Sequence, residues 1–147
     1  HDPYWVKKER DHMFTECTTF ADDIKHSGGA YQSGWHFIDQ PYMDEDPKNI
    51  SAYNFTRDTH NITEALAGLS GWFNNESGYQ NNWEYNQVMS NISPKYMNKT
   101  IENGLSIALR LIMHYVGDIH QPLHGSTRVN HEYPEGDRGG NDFPLAM

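Results

Sequence analysis

The stretch from Ser93 to His120 restricts the fold of this chain more than any other. Ile101, Leu105, Leu109, Ile112 and Val116 recur three to four residues apart, the spacing that aligns side chains along one stripe of an α-helix. Ser93 stands where an N-cap would, with Pro94 at the first helical position, where a missing N–H removes no hydrogen bond. Pro122 stops the helix near His120. A stripe of this length must be buried against other elements, and two shorter runs share its period. Met13, Cys17, Phe20 and Ile24 mark one between Glu9 and Ile24; Ile62, Leu66, Leu69 and Phe73 mark another, with Asn61 as N-cap. Trp83 to Met89 is less regular. Ser27-Gly28-Gly29 breaks the first helix, Gly34 to Asp39 is an extended or irregular aromatic segment ending at Pro41, and Met43 to Asn54 is an acidic loop containing Pro47. After His124 the chain turns irregular through Pro134, Gly136, Gly139 and Gly140, and no repeat or strand ladder is apparent. The reading is an all-α fold with long functional loops.

One domain accounts for the 147 residues. Hydrophobic residues make up 36% and aromatic ones 13%, so Trp35, Trp72 and Trp83 are expected in the core beside the aliphatics. Cys17 is the sole cysteine, so no internal disulfide can form, and any partner is expected outside this segment. Eleven Lys and Arg against 20 Asp and Glu give a net charge of −9, which excludes a broad basic surface as the means of holding nucleic acid. Positive charge for phosphate chemistry would have to come from bound metal, and nine histidines offer its commonest side-chain ligand. No apolar run is long enough to span a bilayer, and no charged-then-apolar leader is visible at His1. Acceptor sequons begin at Asn49, Asn54, Asn61, Asn75, Asn91 and Asn98; their density points to N-glycans at some of them and to a secreted protein or a lysosome-like compartment.

Chemistry concentrates where the long helix ends. His114 and Asp118 are four residues apart, on one helix face and within reach of one cation. His120 shares little of that face, but Pro122 bends the chain and can return His124 to the same cavity. A helix-end histidine beside a capping aspartate would read the same way from this pair alone. Asp22 and His36 each lie among hydrophobic neighbours, where a polar group needs a partner; joined to His114 and Asp118 they would form a shell of two imidazoles and two carboxylates. Such a set suits zinc better than calcium or magnesium, which prefer nearly all-oxygen shells.

Four blocks occur in order: Ala21-Asp22-Asp23-Ile24-Lys25, Trp35-His36-Phe37-Ile38-Asp39, the run His114-Tyr115-Val116-Gly117-Asp118-Ile119-His120-Gln121-Pro122-Leu123-His124, and Gly139-Gly140-Asn141. Together, over about residues 21–141, they resemble the zinc-dependent single-strand nucleases and 3′-nucleotidases of fungi, plants and protists, the type I nuclease family. The resemblance implies a helical phospholipase C/nuclease-type fold, three zinc ions in a cleft, and single-stranded nucleic acid and nucleotides as partners. By resemblance Asp22, His36, His114 and Asp118 ligate one zinc, Asp118 also serves a second, and His124 serves the third. Lys25 would face the phosphate, Phe37 would stack a base and Asp39 would hydrogen-bond it. Metal-activated water would then attack phosphorus.

Two features of that family are not matched. Its amino-terminal Trp, which binds zinc through amino group and carbonyl, and the His that follows have no counterpart recognised here, and its late Asn-Leu-His-x-x-Trp-Asp block does not occur before Met147. The expectation is therefore a partial zinc nuclease domain with one complete ligand set, in which His131, Asp137 or Asp142 would have to substitute for missing ligands. Two rival readings are a phospholipase C-like zinc phosphodiesterase, which Phe37 and Asp39 disfavour, and a zinc-binding glycoprotein fragment without turnover.

Overall fold

The computed structural model describes residues 12–45, 48–94 and 97–144. Within them the fold is all-α: α1 (Met13–Glu16), α2 (Phe20–Ile24), α3 (Ile62–Phe73), α4 (Trp83–Asn91) and α5 (Ile101–Asp118), with short 3-10 segments between. Among the described residues no helix is long and apolar enough to cross a membrane. The first predicted helix is thus two short α pieces joined by a 3-10 turn at Cys17–Thr19, with Cys17, Phe20 and Ile24 buried as its period requires; the Glu9 end of that prediction lies outside the described residues. Asn61 caps α3 as expected, its side chain accepting from the backbone N–H groups of Thr63 and Glu64. Trp83–Asn91, irregular in sequence, is helical.

The long helix departs from expectation at its start and in its face. It begins at Ile101, where the Thr100 hydroxyl accepts from Asn103 N at 3.2 Å. Pro94 instead falls after the end of α4, since a proline disfavours helical geometry in the residue before it. The side chains turned fully inward are Gly104, Ala108, Leu111 and Tyr115, whereas Ile101, Leu109 and Val116 are 39%, 41% and 45% exposed. Counting large apolar residues misses the buried face because two of its members are small. They are small of necessity: a Cβ on Gly104 would stand 2.7 Å from Cη2 of Trp72 and 2.5 Å from Sδ of Met89.

Around that face α2, α3 and α4 share one core in which Trp35 and Trp72 are fully buried and Trp83 is half-buried. Trp35 meets Tyr31, Trp83 and Tyr115 edge-on at centroid distances of 5.6, 5.5 and 6.3 Å, an arrangement favoured by the ring quadrupoles. Ala30–His36 is a seven-residue 3-10 helix, so the Gly34–His36 part of the segment read as extended or irregular is helical, while residues 37–39 form no regular element. The helix is reached through Gly28, at φ +95°, and through Gly29, whose hydrogen leaves room for the Ile24 side chain 2.5 Å from where a Cβ would stand. One small sheet also contradicts the reading without strands: β1 (Gln40–Tyr42) pairs parallel with β2 (Ser126–Arg128), Pro41 opposite Thr127. In a two-stranded sheet both strands are edges, so Pro41 is tolerated. The pair, extended by Ile38 N to His124 O at 2.8 Å and Val129 N to Tyr42 O at 2.9 Å, brings the Phe37–Asp39 loop beside His124.

Candidate metal centre and its surroundings

Three elements deliver side chains to one point. On α2 the inward residues are Phe20, Ala21 and Ile24, which leaves Asp22 on the open side; the 3-10 helix ends in His36, and the last turn of α5 carries His114 and Asp118. Donor atoms of Asp22, His36 and His114 lie within 4.8 Å of one another, and these three form the one metal-competent cluster of His, Cys, Asp and Glu among the described residues. Asp118 closes the set, with Oδ2 2.8 Å from Nδ1 of His36 and 3.2 Å from Nε2 of His114; Asp22 Oδ2 is 3.6 Å from that same His114 nitrogen. The expected shell of two imidazoles and two carboxylates is therefore assembled in space.

The outer edge of each ring determines what the inner edge offers. His36 Nε2 faces Gln32 Oε1 at 2.9 Å, and His114 Nδ1 faces the carbonyl of Thr18. Both outer partners are acceptors, and so is Asp118 on the inner side; each ring therefore donates both ways when protonated, and when neutral it can keep its hydrogen on the outer nitrogen and turn a bare inner nitrogen toward a cation. Two lone pairs and two carboxylates then converge with nothing positive between them, unless a proton or a cation enters. The contacts of Asp118 with both rings and of Asp22 with His114, from 2.8 to 3.6 Å, bracket the edge of about 3.3 Å that a tetrahedron with zinc bond lengths of about 2.0 Å requires, and the remaining separations among Asp22, His36 and His114 stay within 4.8 Å. The donor set fits zinc.

The charges respond to one another. Burial alone would push the Asp118 carboxyl up, but hydrogen bonds and charge from His114 and His36 outweigh it and hold it well below the usual carboxylate range. Burial would lower His114, yet Asp118, the Thr18 carbonyl and Asp22 raise it; His36, more deeply buried, is lowered by desolvation against the pull of Asp118. Asp22 is lowered: burial acts against ionisation and is overcome by Lys25, His114 and His36.

The other expected residues surround this point. Lys25 Nζ lies 2.9 Å from Asp22 Oδ1, a half-buried cation at the margin of the shell. Phe37 packs its ring edge-on against His124 at 4.7 Å, over Gly139, where a Cβ would come within 2.6 Å of the ring. Asp39 has φ +51°, and its Oδ1 is buried with no hydrogen-bond partner among the described residues. Burial, then Asp58, raise its carboxyl against the pull of Arg57. His124 is not part of the Asp22 cluster; its Nδ1 faces the Gly139 carbonyl at 3.1 Å, and it lines, with Asp118, a cavity of about 70 Å³.

The three substitutes suggested for missing ligands are otherwise engaged. Asp137 is buried and its Oδ1 accepts from Thr127 Oγ1, Arg128 N and Gly140 N, organising the glycine loop. Exposed His131 pairs with Glu45 at 2.7 Å, and Asp142 lies 3.5 Å from Arg138. Sequence reasoning singled out neither Gln32 nor the Thr18 carbonyl. A glutamine four residues before a ligand histidine is a faint signal, and a backbone carbonyl carries none.

The sequence model of the S1/P1 nuclease family matches residues 4–147. The chain belongs to that family. The match begins well before the four blocks and runs beyond them, so the nuclease signature covers the amino-terminal segment as well. No curated protein and no solved structure matches. As an S1/P1 nuclease the protein is a hydrolase of phosphodiester bonds.

Proposed function

We propose that this chain is a zinc-dependent endonuclease and 3′-nucleotidase that hydrolyses phosphodiester bonds of single-stranded DNA and RNA, together with terminal 3′-phosphates. The observation that carries the reading is the convergence of Asp22, His36, His114 and Asp118, with one nitrogen of each ring and the carboxylate oxygens facing one another. Those four would hold zinc, Asp118 would offer its second oxygen to another ion, and His124 would contribute to a further site across the small cavity that it shares with Asp118. Bound zinc supplies Lewis acidity toward phosphoryl oxygen and acidifies water near neutral pH.

The remaining work falls to side chains. Lys25 is a cation beside Asp22 at the margin of the four donors, and its ammonium would stabilise charge on phosphoryl oxygens. Phe37, half-exposed and held upright by Gly139 and His124, would stack an unpaired base, and the half-buried Asp39 carboxyl would accept from that base's N–H edge. Both contacts need an unstacked base, which favours single strands over duplex. Sequons at exposed Asn49, Asn54, Asn75, Asn91 and Asn98 support a glycosylated protein on the secretory route. At Asn61 the amide oxygen is committed to the α3 cap.

Hydrolysis of single-stranded DNA, RNA and 3′-nucleotides is expected to stop on chelation and return with zinc. Turnover unaffected by chelation defeats the reading. Phosphatidylcholine cleavage in its place would select the phospholipase alternative, and zinc binding without turnover would select the non-catalytic one.

A further inference from the structure

Gln32 is completely buried, and its amide is used in full view of the metal set without belonging to it. Its Nε2 donates to the carbonyl of Ala21 at 2.8 Å, fixing which end of the amide is oxygen. The Oε1 so oriented accepts from His36 Nε2–H at 2.9 Å and from the hydroxyl of Tyr115, itself fully buried. Each contact reaches a ligand or its chain neighbour: Ala21 precedes Asp22, Tyr115 follows His114, and His36 is a ligand itself. One side chain therefore ties together the three elements that supply the shell.

We propose that Gln32 is a positioning residue that selects the tautomer of His36, keeping hydrogen on Nε2 and Nδ1 bare toward the metal, while locking α2 and α5 in register around it. This rests on the reading in which His36 is a zinc ligand. His114 and His124 have their outer nitrogens set by the backbone carbonyls of Thr18 and Gly139, which no substitution removes; His36 alone depends on a side chain. The amide suits the task because it donates and accepts at once. An imidazole with the opposite tautomer would aim N–H, not a lone pair, at the shell, and outer partners of this kind commonly set metal affinity by about 10–100-fold.

Two measurements test the role. Nitrogen-15 spectra of the metal-free wild-type protein should show His36 hydrogenated at Nε2 once the ring is neutral; hydrogen at Nδ1 overturns the proposal without any variant. Zinc affinity, by competition against a chromophoric chelator, should fall about 10–100-fold in Gln32→Met, which can neither accept from His36 nor donate to Ala21. Melting temperatures recorded alongside separate support from positioning. A Gln32→Met protein that is less stable but binds zinc like the wild type, with the His36 tautomer unchanged, overturns the role. Wild-type protein that binds no zinc defeats the proposed function instead, while the tautomer still judges Gln32.

Discussion

Zinc added to metal-free protein should raise its melting temperature, and most of the rise should depend on Asp22, His36, His114 and Asp118. The donors come from residues 22, 36, 114 and 118: Asp22, His36 and His114 each adjoin a fully buried residue, Ala21, Trp35 and Tyr115, and Asp118 follows His114 by one turn on α5. Unfolding separates them, so the unfolded chain has no equivalent site and zinc stabilises by mass action, about 2.7 kcal/mol at a concentration 100 times Kd. In a domain of this size each kcal/mol moves Tm by about 2–4 °C, so the shift should be about 5–11 °C. Protons compete. His114 is held above its ordinary value of 6.5, chiefly by Asp118 acting against burial; its protonated form stabilises the metal-free fold below 6.5, and that contribution is lost as pH rises through the folded value. Zinc needs the ring bare, so its increment grows as pH rises through the same window. On the acid side it shrinks by about 1.4 kcal/mol per pH unit for one displaced proton. Asp118 stays ionised throughout and adds no such dependence. Scanning calorimetry at pH 6 and pH 8, with zinc or chelator, on wild type and His114→Ala reads all of this. Equal zinc shifts in the two proteins, or a shift larger at pH 6, would refute the reasoning.

Asp39→Asn should stabilise the substrate-free protein by on the order of 1 kcal/mol at pH 7, because it removes a half-buried charge held near Asp58 while asparagine tolerates the left-handed backbone at φ +51°. The wild-type carboxyl is raised, so its neutral form supports the fold below the unfolded value and that support is lost as pH rises through the folded one. The variant's advantage in urea midpoint should therefore be absent near pH 3 and complete at neutrality; the opposite trend, or an unchanged KM on single-stranded substrate, would count against the argument. Gly104→Ala pits a helix-propensity gain of about 1 kcal/mol against overpacking of about 1–3 kcal/mol. Met89 can yield, but the Trp72 ring, 2.7 Å from the added Cβ, is buried on the other side, so urea denaturation should show a net loss, and a raised midpoint would show that α5 and Trp72 are not in contact as described.

What could be read from the sequence follows the range of the forces involved. Spacing located α3 with its Asn61 cap and the His114/Asp118 pair, because both are settled within one or two helical turns. It failed for Ala30–His36, which contains Gly34 and owes its 3-10 form to distant partners: Trp35 lodged in the core, Gln32 bonded to Ala21 and Tyr115. It failed for the buried face of α5, where Gly104 and Ala108 are selected for the space they leave. Joining Asp22 and His36 to the pair is only a suggestion from their hydrophobic neighbours until the resemblance implies it, since the His36–Asp118 contact spans 82 positions and no local pattern encodes it. The net charge of −9 was legible from the start, and the structure gives it a physical sense. Asp22 and Asp118 face ring nitrogens whose outer edges are engaged by Gln32 and the Thr18 carbonyl. An acidic protein suits phosphate through bound cations, and the carboxylates gathered at this point make a field that would draw a cation in and hold it.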